Sequence, residues 1–154
     1  MTSDRRGDFR LLACGRDGQA QEPLANLTAL RDEIRQATLD HYDRVGFNPP
    51  WIGYFALAGD VVIGGGGFVG PPNNNRVEIA YHTLPDHQSQ GYGTRTAMAL
   101  IAIARSVQPT LEIYAKTAPE QNPSAAILTR LGFRFIGIAI DHEIGEAWAW
   151  LLTP

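Results

Sequence analysis

A single cysteine, a single lysine and no long apolar run exclude several kinds of protein at once. Cys14 has no intrachain disulfide partner and no second thiolate with which to hold zinc. That usage fits a reducing compartment. Thirteen basic residues against sixteen acidic ones give a formal net charge of −3, and only Lys116 is a lysine. No basic stripe is available to follow a phosphate backbone, so nucleic acid is not an expected partner. The longest unbroken apolar stretch, Ala97 to Ala104, falls far short of the ~20 residues that cross a bilayer. The opening MTSDRRGDFR carries charge but no apolar segment of signal-peptide length behind it. No membrane association and a cytoplasmic location are therefore expected. No His/Asp/Glu cluster has metal-ligand spacing, and no metal is expected.

What is present is ordinary for a globular protein: 154 residues, 44% apolar and 19% charged. This is enough for one core, so a single domain spanning residues 1–154 is expected, with residues 1–8 as a loose polar lead. Phe9 to Cys14 reads as a strand. From Asn26, a residue suited to capping, Leu27, Leu30, Ile34 and Ala37 recur at helical spacing, and a second helical stretch or a continuation runs to about Val45. Gly46, Pro49 and Pro50 break it. Ile52 to Leu57 and Val61 to Val69, joined by Ala58-Gly59-Asp60, read as a hairpin. Four consecutive glycines, Gly64 to Gly67, indicate either a bulge or the close approach of a ligand or another backbone.

Arg76 to Leu84 alternates as a strand, with Val77, Ile79, Tyr81 and Thr83 on one face and Glu78, Ala80, His82 and Leu84 on the other. A turn containing Gly91 and Gly93 then leads into a helix striped by Ala97, Leu100, Ile101 and Ala104. Leu111 to Ala115 is another strand. Ser124 to Leu131 is a short helix stopped by Gly132, and FRFIGIAI and EAWAWLL around DHEIG form a closing hairpin. Hairpins at both ends with helices between them predict an α/β fold, a mixed sheet covered by helices.

Strand, glycine turn and helix together indicate either an ordinary loop-to-helix junction or an anion site. The first N–H groups of a helix lack intrahelical acceptors, the dipole there favours negative charge, and glycine lets oxygens approach the backbone. Ser89 and Thr94 add hydroxyl donors, and Arg95 adds charge from the side. Two common phosphate motifs are missing: no G-x-x-x-x-G-K-[ST] occurs, and G-x-G-x-x-G would need glycine where Thr96 stands.

The flanks narrow the reading. Gln88-x-x-Gly91-x-Gly93, following EIAYHTLPDH, resembles the pyrophosphate loop of the GNAT superfamily of N-acetyltransferases. About thirty residues on, NPSAAILTRLGF resembles that family's Asn-x-Ser segment, which opens a helix ending in Gly-Phe. DHEIGEAWAWLL is similar to the closing hairpin of the branch that contains the ribosomal-protein N-terminal acetyltransferases.

The resemblance implies a mostly antiparallel central sheet flanked by helices and splayed where acyl-coenzyme A enters. It implies that His82, Thr83 and Leu84 offer backbone groups to pantetheine, and that an N–H there stabilises the oxyanion. Gln88, Ser89, Gln90, Gly91, Tyr92, Gly93 and Thr94 would wrap the pyrophosphate, with Asn122 on the other side of the arm. Glu78 or His82 would be the base that frees the attacking amine. Many members carry a tyrosine acid four residues before the glycine of Gly-Phe, where this chain has Leu128. Ser124 resembles the serine of the ribosomal branch and could supply the proton; as a serine at a helix start it could equally be the N-cap.

Cys14 reads as core. Trp148 and Trp150 read as packing, or as lining for an acceptor groove, and Trp51 as part of an acceptor loop. His87 and His142 read as solvated turn residues. The implied activity is transfer of an acetyl group from acetyl-coenzyme A, the co-substrate, to a primary amine on a small molecule or peptide. The alternatives are a non-catalytic acyl-coenzyme-A sensor and a plain interaction domain. A long C-terminal edge strand could support a homodimer.

Overall fold

In a computed structural model the chain is described at residues 8–20, 22, 24 and 31–154, with backbone alone at 31–34. The expected helix start at Asn26, Leu27 and Leu30 of its stripe, the side chain of Ile34, and residues 1–7 lie outside the described part. The elements run β1 (Phe9–Ala13), α1 (Arg31–Val45), β2 (Gly53–Ala58), β3 (Val61–Phe68), β4 (Arg76–Thr83), α2 (Tyr92–Val107), β5 (Glu112–Thr117), α3 (Pro123–Arg130), β6 (Arg134–Asp141) and β7 (Gly145–Leu152). Asp8, placed in the loose lead by sequence, instead accepts the Gly59 N–H at 3.0 Å and closes the β1 end of the sheet.

The strands form one sheet in the order β1-β2-β3-β4-β5-β7-β6. Only β4 and β5 are parallel, and α2 is the crossover that parallel neighbours require. One face of this sheet carries α2 and α3. Ala97, Leu100 and Ala104 of α2 pack there on Phe68, Val77, Ile79 and Ile113, all within the main core. Leu128 of α3 joins that core at 1% exposure, so this position is used for packing. Gly132, with φ of +96°, ends α3 in the left-handed conformation and turns buried Phe133 inward.

The other face lies under α1, which is fastened through Tyr42. Its buried hydroxyl donates to the Cys14 carbonyl at 2.8 Å and accepts the Gly53 N–H at 3.1 Å, tying α1 to the ends of β1 and β2. Tyr42→Phe strands two buried backbone groups, and we expect it to lower unfolding stability by about 1–3 kcal/mol in urea titration. Cys14 is 3% exposed, and burial pushes its thiol up to about 12, which fits core packing.

The glycine run stays within β3, and both readings of it have a counterpart. Pairing shifts from Leu57↔Val62 to Ala56↔Gly64, so Ile63 is the extra, bulged residue just before the run. The glycines themselves allow neighbouring backbone to come close. A Cβ at Gly67 would stand 2.6 Å from the Ile52 carbonyl oxygen, and one at Gly66 would stand 2.8 Å from that of Ala80. Among the described residues no helix is long and apolar enough to cross a membrane.

Candidate active site

The sheet opens at one place. Pairing between β4 and β5 ends at Ile79↔Ala115, although β4 runs on to Thr83 and β5 to Thr117. Which peptide groups face this gap follows from the β3–β4 ladder. Leu84 gives its N–H to Ile63 O at 2.8 Å, and Val69 gives its own to Glu78 O at 2.9 Å. Antiparallel pairs alternate between bonded and non-bonded, so the even-numbered residues of β4 spend their peptide groups on β3. The odd-numbered ones, Tyr81 and Thr83, face the gap. Of the three residues expected to offer backbone groups, only Thr83 turns its peptide group toward the gap. His82 is paired with Gly65, and Leu84 is bonded to Ile63 and packed beside Phe55 and Leu57.

Two cavities meet at this point. The first, of about 510 Å³, lies between the end of β4, the turn into α2 and the start of α3. Thr83, Gln88, Ser89, Gly91, Tyr92, Gly93, Thr94, Asn122 and Ser124 all contribute to its wall, whereas Gln90 does not. The second, of about 350 Å³, lies under α1 over a floor of Gly64 to Gly67, with Thr38 and His41 opposite and Glu143 of the β6–β7 turn at its side. Tyr81 and His82 belong to both walls.

The first cavity suits an anion. The α2 helix begins at Gly91, whose φ of +85° places it in the left-handed region, and no side chain caps the helix there. The first amides of α2 therefore have neither an intrahelical acceptor nor a capping oxygen. A Cβ on Gly91 would meet nothing within 4 Å, so the approach is open. Gly93 has a different reason: its Cβ would stand 3.0 Å from Ile127 Cδ1, so the bare backbone lets α3 pack close. Gln88 turns its side chain back to donate to Thr83 O at 3.2 Å. Asn122 caps α3, its Oδ1 accepting the Ala125 N–H at 2.8 Å. The cap is thus Asn122 and not Ser124, which leaves the serine hydroxyl outside that role.

The titratable groups divide. His82 is solvent-exposed but stands in a crowded cleft, and that crowding lowers its pKa from the ordinary imidazole value, which favours the neutral ring. Glu78 lines neither cavity. It lies on the same face as His82, four residues and ~13 Å away along the strand. Its carboxylate pairs with Lys116 at 3.6 Å, and Lys116 also reaches Asp141 at 3.0 Å. Burial raises the Glu78 pKa against the opposing pull of Lys116. Its cationic partner is thus the chain's one lysine.

Trp148 and Trp150 meet Phe135 edge-on away from both cavities, and Trp150 Nε1 donates to Thr117 Oγ1 at 3.0 Å. Trp51 packs edge-on against Phe68 at 5.1 Å and lines neither. His87, read as a solvated turn residue, contributes to the first cavity and meets Tyr92 edge-on. Arg95 is exposed and outside the wall, while Arg130 of α3, not singled out by sequence, lies within it. Its signal was its place eight residues after Asn122, two helical turns along the same face. Sequence alternation gives Tyr81 only a place on the face of Val77, Ile79 and Thr83.

Residues 16–134 match a family model described as an acetyltransferase (GNAT) domain. No curated protein matches the chain. Among solved structures it is similar to a GNAT-family acetyltransferase from Bacillus anthracis, with TM-score 0.57 and 20% identity over 66% of this chain and 65% of that one, just under two thirds of its length. It is also similar to RimL, a ribosomal alpha-N-protein acetyltransferase. The coenzyme-free form gives TM-score 0.66 and 15% identity over 94% and 92% of the two chains. The form in complex with coenzyme A gives 0.63 and 17% over 80% and 72%. At these identities the likeness to solved structures is one of fold.

Proposed function

We propose, for a chain that belongs to the acetyltransferase (GNAT) domain family, that it moves an acetyl group from acetyl-coenzyme A to a primary amine by direct attack on the thioester. One observation carries this reading: two cavities of different character meet at Tyr81 and His82, where β4 parts from β5. The pyrophosphate would rest on the uncapped amides of α2, with Ser89 and Thr94 beside them. Asn122 keeps its amide N–H groups for the pantetheine arm, and Arg130 stands on the same wall. The amine would enter over the glycine floor.

The roles follow from placement. Tyr81 N–H is the first amide beyond the end of β4–β5 pairing, so it is the donor set to receive the carbonyl oxygen as it gains charge. His82, neutral at physiological pH and present in both walls, takes the proton of the attacking amine. Ser124 stands in the first cavity, where the leaving thiolate could receive a proton through it. Glu78, held by Lys116 away from the junction, is the weaker candidate for the base. The exposed edge strand β6, with Ile136, Ile138 and Ile140 uncovered, is the surface through which two copies would pair.

Leu128 favours a second reading, an acyl-coenzyme-A sensor without turnover, because a core leucine stands where a proton donor would be expected. Two measurements decide. Acetyl-coenzyme A at about 100 times its Kd should stabilise the fold by about 2.7 kcal/mol and raise Tm by several degrees. No shift at millimolar coenzyme defeats both readings. Thiol release across a panel of small and peptidyl amines separates them, since a sensor shows no acceleration by any amine.

A further inference from the structure

We propose that the Tyr81 phenol is a catalytic residue that hydrogen-bonds the departing coenzyme sulfur, a task separate from the proton delivery given to Ser124 above. This inference rests on the transferase reading above. Its grounds are geometric. Tyr81 belongs to the walls of both cavities, and its hydroxyl oxygen is buried with no hydrogen-bond partner among the described residues. Buried hydroxyls are nearly always satisfied, and leaving one unpaired costs about 1–3 kcal/mol, so the exception calls for a cause. Alternation along β4 places the ring on the face that carries α2 and α3. The position of a Cβ on Gly93, in the first turn of α2, lies 4.0 Å from Tyr81 Cε2 and 3.0 Å from Ile127 of α3. The phenol therefore stands on the side of the sheet that carries α2 and α3, beside the gap, the side from which α3 would have presented an acid.

Its chemistry suits a donor that keeps its proton. Burial pushes the Tyr81 hydroxyl up to about 12, whereas an ordinary thiol ionises near ~8.5. Full transfer from phenol to thiolate is uphill, but a charge-assisted hydrogen bond is not. In the step, the amine nitrogen bonds to the carbonyl carbon and the carbon–sulfur bond breaks, with its electron pair leaving on sulfur. The amine proton goes to His82, and from there to sulfur or solvent. The Tyr81 proton remains on oxygen throughout, pointing at the sulfur while it is negative.

The test is Tyr81→Phe, read in two ways. If the hydroxyl serves only the reaction, its removal leaves Tm unchanged or higher, because no protein partner is lost. At the same time kcat for amine acetylation should fall about 10- to 100-fold, with KM for acetyl-coenzyme A nearly unchanged. The penalty should shrink several-fold when the donor is an acetyl thioester of an aromatic thiol, whose thiolate needs less stabilisation. A packing role cannot produce that dependence on the leaving group. An unchanged kcat, a Tm drop of several degrees, or an equal loss with both donors overturns the proposal. If no amine accelerates thiol release by the unaltered protein, the transferase reading falls and takes this inference with it. A working parent with an equally active Tyr81→Phe removes this inference alone.

Discussion

Replacing His82 by glutamine is expected to lower kcat/KM for amine acetylation about 100-fold, the lower end of what a positioned general base contributes. The glutamine keeps the polar volume and the β3–β4 pairing but cannot accept a proton. Because crowding in the cleft lowers the His82 pKa, the ring is already neutral and ready at pH 7. Activity should be full above that lowered pKa and should fall as pH drops through it. The acidic limb of the kcat/KM profile should therefore lie below the ordinary imidazole value of ~6.5, and it should vanish in His82→Gln. Folding gives an independent reading of the same shift. An imidazole harder to protonate in the native state than in the unfolded one binds fewer protons when folded, so stability declines as pH falls below the unfolded pKa. The Tm difference between the parent and His82→Gln should change with that sign between pH 7.5 and 5. An acidic limb that survives the substitution would pass the role of base to Glu78 or to a water chain.

Much of this architecture is legible in the chain because it rests on local rules. The α2 stripe of Ala97, Leu100 and Ala104, the turn at Gly59-Asp60 and the stop at Gly132 each follow from short-range periodicity or backbone freedom, and each stands where that physics places it. The glycine turn into α2 and the Asn122 start of α3, which share one cavity, were legible as two motifs in order. What stayed hidden depends on register. Alternation says which face a β4 side chain takes, but not whether its peptide group is spent on β3 or left to the gap. That is decided by the pairing of Ile63 with Leu84. Leu84 was therefore placed among the coenzyme contacts when its amide is already bonded, and Tyr81 was passed over. Glu78 and His82 share a face in sequence, yet only His82 reaches the meeting of the cavities. The reason is that the sheet opens beyond Ile79, a fact of β5 and not of β4.

Gly67→Val should be the most damaging single change to the fold among those considered, lowering unfolding stability by more than about 3 kcal/mol. Valine is otherwise the better strand residue, by up to about 1 kcal/mol, so propensity and packing make opposite predictions here. Packing should win because of what the new atoms meet. A Cβ at Gly67 would stand 2.6 Å from the Ile52 carbonyl oxygen and 2.8 Å from the Gly53 Cα, both backbone atoms of the neighbouring chain segment. Backbone cannot swing aside as a side-chain tip can, so β2 and β3 would have to separate. Overpacking of this kind costs about 1–3 kcal/mol even where side chains can adjust, and against a typical total of about 5–15 kcal/mol the loss is large. Gly65→Ala offers the contrast, since its Cβ would sit 3.0 Å from the Tyr54 carbonyl oxygen and 3.3 Å from Cε1 of His82. That change should cost less stability than Gly67→Val and more activity per kcal/mol lost, because the methyl group pushes on the proposed base. Urea midpoints and kcat/KM measured on both variants test the pair. A Gly67→Val protein as stable as its parent would mean that β2 and β3 have slack, and that the glycine floor serves the ligand alone.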